Sequence, residues 1–302
     1  MISLVICTYN REKYLGAALD RIAANGCPVE DYEIVLVDNN SSDSTPEICR
    51  RFAEARPELN FRYFLETAQG LSHARNRGIR ESVGDIVVFL DDDSMVEADY
   101  LRNLQRSLDD CPQADAFGGC IHPLFESGKE PEWLCKWTYS WVSAIDLGPQ
   151  MQQFTSKYPI GANMGFRRRA LDRVGDFNTS LGRTLKNLMG GEEKDIFARV
   201  KAAGMQIWYF PDIRVQHVIP ESRTTRDYIV RFAKGIGLSE YNRCKGMGTG
   251  AYLKRIISET IKWDATILLW LYYQITARPQ CGNMLVLFRW NVTLGLMGLE
   301  KQ

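Results

Sequence analysis

Residues 85–93 read Asp-Ile-Val-Val-Phe-Leu-Asp-Asp-Asp, an apolar run that ends in three consecutive carboxylates. A run of this kind predicts a strand buried on both faces, as in a parallel sheet. In such sheets ligands bind beyond the carboxyl ends of the strands. Adjacent carboxylates repel one another unless a cation neutralises them, and Mg²⁺ or Mn²⁺ prefers oxygen ligands. The stretch therefore predicts a metal site at the edge of a sheet, although a solvated acidic turn before a helix has the same pattern.

The alternation of strand and helix extends over the first 120 residues. Further strands are predicted at 2–7, 33–37 and 61–65, and helices at 14–22, from 45 onward, at 71–82 and at 100–108. Thr45 is the expected N-cap of the second helix, with Pro46 in its first turn. This alternation predicts an α/β fold with a mostly parallel, Rossmann-like central sheet flanked by helices.

The pattern is less regular after residue 120. Strands are predicted at 160–166 and 207–210, a helix at 192–203, and helices throughout 223–302. His122 is expected to follow a strand. Three tryptophans, Trp133, Trp137 and Trp141, are spaced to form one helical face, which would serve either packing or stacking on an acceptor sugar. We expect a catalytic domain over 1–222, with halves at about 1–120 and 121–222, and a helical extension over 223–302.

Composition narrows the class of protein. The 302 residues are 45% hydrophobic and 25% charged with a net charge of +0, which is typical of a globular protein and gives no nucleic-acid signature. The segment 221–302 is basic, with 12 Lys and Arg against 6 Asp and Glu. Eight cysteines form no C-x-x-C pair and no signal peptide is recognisable, so we expect a cytoplasmic protein with reduced thiols.

Four polar motifs follow one another within the first 100 residues. They are Ile6-Cys7-Thr8-Tyr9-Asn10-Arg11, Val37-Asp38-Asn39-Asn40-Ser41-Ser42-Asp43, Gly70-Leu71-Ser72-His73-Ala74-Arg75-Asn76-Arg77-Gly78 and Asp91-Asp92-Asp93. Together they resemble family 2 of the inverting glycosyltransferases, which have the GT-A fold and serve bacterial polysaccharide and glycan biosynthesis. The resemblance continues through Gly161-Ala162-Asn163-Met164, Gly190-Gly191-Glu192-Glu193 and Pro211 to His217, and fades after about residue 220.

The resemblance implies a site for a nucleotide-sugar and a divalent cation. Thr8 and Tyr9 would line the base, and Asp38 would accept a hydrogen bond from a uracil-like base. The donor site would also include Arg11, Arg75, Asp91 and Asp92, with Arg75 near the diphosphate. The expected ligands of Mn²⁺ or Mg²⁺ are Asp91, Asp93 and His217.

An inverting transfer also needs a general base for the acceptor hydroxyl. In the family this is an acidic residue at a helix start, usually written Glu-Asp, whereas this chain has Glu193 at the Asp position and Asp195 two residues later. Acidic residues at a helix start also compensate the helix dipole without any catalytic role. Both Glu193 and Asp195 stay open as the base.

The expected function is metal-dependent transfer of a sugar, from a UDP-sugar by family habit, to a hydroxyl of a glycan or lipid-linked acceptor. A sugar nucleotidyltransferase is the alternative enzyme, but the Gly-rich basic loop is missing after the first strand. A non-catalytic nucleotide-sugar-binding protein of a membrane-associated assembly is the other alternative.

The basic tail combines cations with large apolar residues. Lys254, Arg255 and Lys262 precede the apolar stretch 263–273, but no apolar run reaches the ~20 residues of a membrane span. Such a helix can lie at the cytoplasmic face of a membrane, or it can form a homodimer interface.

Overall fold

The computed structural model of the protein describes residues 1–181 and 191–299. The chain divides into two compact units. The first comprises Met1–Leu124 and Ser143–Val218, and the second comprises Phe125–Val142 and Ile219–Gln302. The predicted boundary between residues 222 and 223 stays a prediction.

Over the residues that the structure describes, the first unit is built on a nine-stranded mixed sheet. Its strands are β1 (Ile2–Thr8), β2 (Tyr32–Asp38), β3 (Phe61–Leu65), β4 (Ile86–Asp91), β5 (Ser94–Val96), β6 (Ala114–Phe125), β7 (Gln152–Gln153), β8 (Asn163–Arg167) and β9 (Gln206–Ile219). Their order is β3-β2-β1-β4-β8-β6-β9-β5, with β7 paired to β9. The first four strands are parallel to one another, whereas β8 runs antiparallel to both β4 and β6.

Six helices accompany this sheet in the described part of the first unit. They are α1 (Leu15–Ala23), α2 (Thr45–Ala55), α3 (Leu71–Glu81), α4 (Tyr100–Asp110), α5 (Arg168–Val174) and α6 (Glu192–Ala202). The α/β class with a parallel sheet core is confirmed.

Close packing of α3 on β1 depends on Gly78. A Cβ atom at this position would lie 2.2 Å from Val5 Cγ1, so a larger residue cannot be accommodated without a shift. Val5 itself is fully buried in the sheet. The helix that carries Arg75 is therefore held directly against the strand that ends at Thr8.

Several predicted element boundaries are wrong. Thr45 is the first helical residue of α2, and Ser44 is its N-cap. The strand predicted at 160–166 begins only at Asn163, because residues 160–162 form a turn closed by the Asn163 amide on Ile160 O. The strand predicted at 207–210 continues to Ile219. His122 lies inside β6 and not after a strand.

The second unit contains the C-terminal helices α7 (Glu221–Thr224), α8 (Arg226–Met247), α9 (Thr249–Ile275) and α10 (Pro279–Leu296). The predicted helical tail is thus confirmed over residues 221–296. Within residues 1–181 and 191–299, no helix is long and apolar enough to cross a membrane.

The expected helical face of three tryptophans is wrong. Residues 131–142 form successive tight turns, with only a 3₁₀ segment at Tyr139–Val142. Trp141 stacks on Phe288 of α10 with ring centroids 4.0 Å apart, and it also contacts Trp133. Trp137, by contrast, is 49% exposed. Two of the three rings therefore pack in the second unit.

Candidate active site

Strand register brings the predicted site residues to one edge of the sheet. In the parallel pairs, Thr8 lies beside Asp38 and Cys7 lies beside Asp91. On the far side, β5 pairs antiparallel with β9 so that Ser94 faces His217. His217, more than 120 positions later in the chain than Asp91, thereby lies at the same edge as the motifs that follow β1, β2 and β4.

Asp91, Asp93 and His217 form one compact cluster. Their ligating atoms all lie within 4.8 Å of one another. His217 Nε2 is 3.0 Å from Asp93 Oδ1 and 4.0 Å from Asp91 Oδ2. The side chains of Asp93 and His217 are only 1% and 2% exposed, whereas that of Asp91 is 37% exposed. Two members of the cluster are therefore fixed in the interior and the third is open to solvent.

This cluster suits a divalent cation. Nδ1 of the buried His217 has no hydrogen-bond partner among the described residues, and Nε2 meets the Asp93 carboxylate without hydrogen-bond geometry. A buried polar atom without a partner is costly, and a metal ligand bond would remove that cost. Two carboxylates and one imidazole make up a donor set that Mn²⁺ accepts, and the carboxylates also suit Mg²⁺.

Arg11 neutralises part of the acidic cluster. Its Nε lies 3.3 Å from Asp92 Oδ1, and its Nη2 lies 3.2 Å from Asp93 Oδ2. Burial raises the pKa of Asp92 to about 7, opposed by Arg11 and reinforced by the charges of Asp93 and Asp91. Asp92 is buried and Arg11 is partly exposed. Arg11 and Asp92, which were expected in the donor site, thus lie beside the acidic cluster and in contact with each other.

Asp38 is completely buried at the end of β2. Its Oδ1 accepts a hydrogen bond from the Ser41 amide at 2.8 Å, and its Oδ2 accepts one from the Tyr63 hydroxyl at 2.7 Å. Thr8, next to it in register, is also buried, while Tyr9 is half-buried. Each carboxylate oxygen can accept two hydrogen bonds, so Asp38 retains acceptor capacity.

The loops after β1 and β2 are locked together by reciprocal hydrogen bonds. The backbone amide of Asn10 donates to Ser41 Oγ at 2.9 Å, and the backbone amide of Ser42 donates to the side-chain Oδ1 of Asn10 at 2.8 Å. Asn10 adopts a left-handed backbone conformation with φ 52°, which asparagine tolerates well. The rim beside Asp38 is therefore ordered by its own polar side chains.

Arg75 lies in a buried ion-pair network with the start of α6. Its Nη1 is 3.1 Å from Glu192 Oε1 and its Nη2 is 3.2 Å from Glu193 Oε1. The Arg75 side chain is only 2% exposed, and its guanidinium lies over the ring of Phe177. Arg75 and Glu193, which sequence analysis assigned to donor and acceptor, are therefore direct neighbours.

Gly161 makes room for this network. Its amide donates to Glu193 Oε1 at 2.9 Å, and a Cβ atom there would lie 2.1 Å from Arg75 Nη2. Leu90 pairs with Asn163 in the antiparallel ladder of β4 and β8. The turn at 160–162 directly precedes Asn163 in the chain, so it lies beside the end of β4 that carries Asp91. This register connects the Glu193 network to the acidic cluster.

Asp195 has a different environment. Its Oδ2 is 3.0 Å from Arg199 Nε one turn later on α6, and Arg199 in turn donates to the backbone oxygen of Asp176 at 2.8 Å. The two candidate bases thus have separate partners. Gly190, in the same sequence motif, lies outside the described residues.

Three residues of the site were not singled out from sequence. Tyr63 bonds to Asp38 from a neighbouring strand, Glu192 shares Arg75 with Glu193, and Gly161 packs against both charged groups. Glu192 and Gly161 stand in quoted motifs, whereas Tyr63 lies in a strand without any motif. Only the pairing of β2 with β3 reveals its position.

The chain is similar in sequence to known glycosyltransferases. Residues 3–175 match the sequence model described as Glycosyl transferase family 2. The chain is 26% identical over 235 residues to glucosyl-dolichyl phosphate glucuronosyltransferase of Haloferax volcanii, which covers 76% of this chain and 72% of that protein. It is 35% identical over 127 residues to glycosyltransferase AglE of the same organism, covering 42% of this chain and 41% of that protein.

Solved structures share the fold. Mannosyltransferase PcManGT from Pyrobaculum calidifontis, in complex with GDP-Man and Mn²⁺, gives a TM-score of 0.64 at 20% identity over 99% of this chain and 88% of that chain. S. aureus TarS 1-349 in complex with UDP-GlcNAc gives a TM-score of 0.56 at 17% identity, and the match covers 100% of this chain and 93% of that chain. The fold is therefore that of the GT-A glycosyltransferases. The protein belongs to glycosyl transferase family 2.

Proposed function

We propose that the protein is an inverting, metal-dependent glycosyltransferase that moves a sugar from a UDP-sugar to a hydroxyl of a glycan or lipid-linked acceptor. The observation that carries the proposal is the cluster of Asp91, Asp93 and His217 at the carboxyl edge of the sheet. The names of relatives support the substrate classes, since one is a glucosyl-dolichyl phosphate glucuronosyltransferase and one structural neighbour holds UDP-GlcNAc.

Asp91, Asp93 and His217 would hold Mn²⁺ or Mg²⁺. When bound, the cation supplies Lewis-acid stabilisation of the leaving diphosphate. Asp93 and His217 are buried and fixed, so they pre-organise the site, while Asp91 is exposed enough to face the donor as well. Arg11 adds a positive charge at the same edge of the sheet, and guanidinium groups pair well with phosphate oxygens.

The nucleotide would bind over the ends of β1 and β2. Asp38 accepts hydrogen bonds from Ser41 and Tyr63, which fix the direction of its carboxylate. Its remaining lone pairs suit the N–H of a uracil-like base. Tyr9 offers an aromatic ring beside it. The preference for uridine rests on this acceptor together with the family resemblance.

Glu193 is our proposed general base. Its carboxylate takes the proton of the acceptor hydroxyl as that oxygen bonds to the anomeric carbon and the bond from that carbon to the diphosphate breaks. Arg75 and the Gly161 amide hold Glu193 Oε1 and fix its position. We favour Glu193 over Asp195 because its bond to the Gly161 amide connects it to the turn beside β4, whereas Asp195 pairs with Arg199 one turn further along α6.

A panel of nucleotide-sugars tests the donor proposal. With Mn²⁺ present, we expect one UDP-sugar to raise the melting temperature more than its GDP counterpart, because ligand binding to the folded state stabilises it. The cognate donor should then release a nucleoside diphosphate. Release of pyrophosphate would indicate a sugar nucleotidyltransferase, and binding without turnover in the presence of acceptors would indicate a non-catalytic binding protein.

We also propose that α9 places the enzyme at a membrane surface. One face of this 27-residue helix carries exposed apolar side chains at helical spacing, including Leu253, Ile257, Ile261, Leu268 and Ile275. The exposed Asp264 lies among them. Exposed apolar residues in this number are typical of a binding surface. Lys254 and Lys262 are exposed on the same helix and can meet anionic headgroups.

Arg255 does not contribute to this surface as expected from the sequence. It is largely buried and forms ion pairs with Glu259 at 2.7 Å and Glu240 at 3.3 Å. Its positive charge is therefore used within the second unit. The membrane proposal rests on the apolar face and the two lysines, and a homodimer through the same face is the competing outcome.

A further inference from the structure

A second group of metal-ligating side chains lies on β6, apart from the acidic cluster. Ile121 and Ile145 form an antiparallel bridge with reciprocal backbone hydrogen bonds of 2.8 and 3.1 Å. The residues before and after each isoleucine lie on the face of the ladder opposite to the isoleucine side chains. Cys120 is therefore directly across from Asp146, and His122 lies on the same face as both. A short backbone ladder therefore presents a thiol, an imidazole and a carboxylate together.

The three side chains converge within ligand distance. Cys120 Sγ is 3.2 Å from His122 Nε2, and the ligand atoms of Cys120, His122 and Asp146 all lie within 4.8 Å of one another. Asp146 Oδ1 accepts hydrogen bonds from the Gly148 amide at 2.8 Å and from the Tyr209 hydroxyl at 3.4 Å. These contacts orient the carboxylate toward the other two groups.

We propose that Cys120, His122 and Asp146 bind one Zn²⁺ ion at a site separate from Asp91, Asp93 and His217. Zn²⁺ takes sulfur, nitrogen and oxygen ligands in tetrahedral geometry, whereas Mg²⁺ does not favour a thiolate. Three protein ligands leave the fourth position to solvent, and His122 and Asp146 are exposed enough to admit a water. This assignment is independent of the proposed sugar transfer.

A cysteine nucleophile explains the same group less well. Cys120 is buried, so a substrate carbon could not reach its sulfur without opening the ladder. A cation that binds the thiol displaces its proton. Metal binding needs only that exchange of a proton for a cation.

The site lies where the chain leaves and re-enters the first unit. The chain leaves the first unit after Leu124 and returns at Ser143. Cys120 and His122 lie just before this departure and Asp146 lies just after the return. A bound ion would join the two ends of that segment and stabilise the folded state by mass action.

Co²⁺ titration tests the site, because Co²⁺ replaces Zn²⁺ and gives a near-ultraviolet thiolate charge-transfer band that an Asp and His site cannot give. We expect the wild-type protein to develop this band with one equivalent of Co²⁺ and to lose it on addition of Zn²⁺. His122→Ala, at an exposed position, should weaken Co²⁺ binding by about tenfold or more. Cys120→Ser should abolish the band, whereas Cys111→Ser, a matched buried cysteine, should retain it.

Two results would overturn the assignment. One is a wild-type protein without the thiolate band at stoichiometric Co²⁺. The other is a band of unchanged affinity in His122→Ala, since this exposed substitution leaves the fold intact and removes only the ligand.

Discussion

Glu193 and Asp195 stand two residues apart on α6 but differ in their partners. Glu193 Oε1 is held by Arg75 and the Gly161 amide, and Asp195 is held by Arg199. We expect Glu193→Gln to lower turnover by about 100-fold or more, because general-base catalysis contributes at least that much. Donor binding should change little, since the lost group acts on the acceptor proton.

Asp195→Asn is the matched control for this prediction. It removes a carboxylate from the same helix turn and weakens only a half-exposed pair with Arg199. Turnover should stay near that of the wild type, measured as nucleoside diphosphate release at saturating donor. If Asp195→Asn is the damaging change and Glu193→Gln is not, the base is Asp195.

Residue identities at the site were predictable where a motif follows a strand. Asp91, Asp93 and Asp38 could be placed from sequence because the carboxyl ends of parallel strands share one edge of the sheet. The salt bridges from Arg11 to Asp92 and Asp93 were not predictable, since they depend on how the loop after β1 turns back. Tyr63 was missed because its alignment with Asp38 exists only in the paired strands.

At the level of elements, the packing of α3 against β1 makes a direct stability test. Gly78→Ala would place a methyl group 2.2 Å from Val5 Cγ1, so strands and helix must move apart. Overpacking of this kind costs about 1–3 kcal/mol. We expect a lower free energy of unfolding in denaturant titration, together with lower turnover, because Arg75 on the same helix holds Glu193.

Gly235→Ala is the control for this helix substitution. Gly235 is exposed in α8, and no described atom beyond its own stretch of helix lies within 4 Å of a Cβ built there. Alanine should therefore stabilise the helix by roughly 0.5–1 kcal/mol. Equal effects of the two substitutions would show that the contact between position 78 and Val5 does not limit the packing of α3 on β1.

Elements with strong periodicity could be predicted, and long irregular ones could not. The parallel strands and α1 to α4 follow from continuous apolar runs and helical spacing. β6 was not delimited, because Gly118 and Gly119 interrupt its apolar pattern. The helix predicted from the spacing of the tryptophans at 133–141 does not form, because this segment folds into local turns that begin at Pro131. The order β8-β6-β9 depends on long-range pairing that no local pattern encodes.

For the whole molecule, the exposed face of α9 predicts association with anionic membranes. Leu268 is 68% exposed, so Leu268→Glu should leave the fold unchanged while placing a charge where headgroups and acyl chains meet. We expect co-sedimentation with anionic liposomes to fall by about tenfold or more, given the transfer free energy of a buried leucine. Gln274→Glu, exposed on another face of α9, is the charge-matched control.

The exposed face of α9 is better tested by a point substitution than by deletion of residues 223–302. Deletion would remove Phe288, on which Trp141 stacks, and so disrupt the second unit itself. If the wild-type protein ignores anionic liposomes and Leu268→Glu converts a dimer to a monomer in sedimentation, the face is a homodimer interface and not a membrane surface.

The most direct test of the central claim is metal-dependent release of nucleoside diphosphate from the cognate donor. We expect release by the wild-type protein with Mn²⁺ or Mg²⁺, and its loss in EDTA. Asp93→Asn, which alters a buried member of the cluster with His217, should reduce release in Mn²⁺ to near the EDTA level while retaining the wild-type circular dichroism spectrum. Full release in EDTA, or unchanged release by Asp93→Asn, would contradict the account.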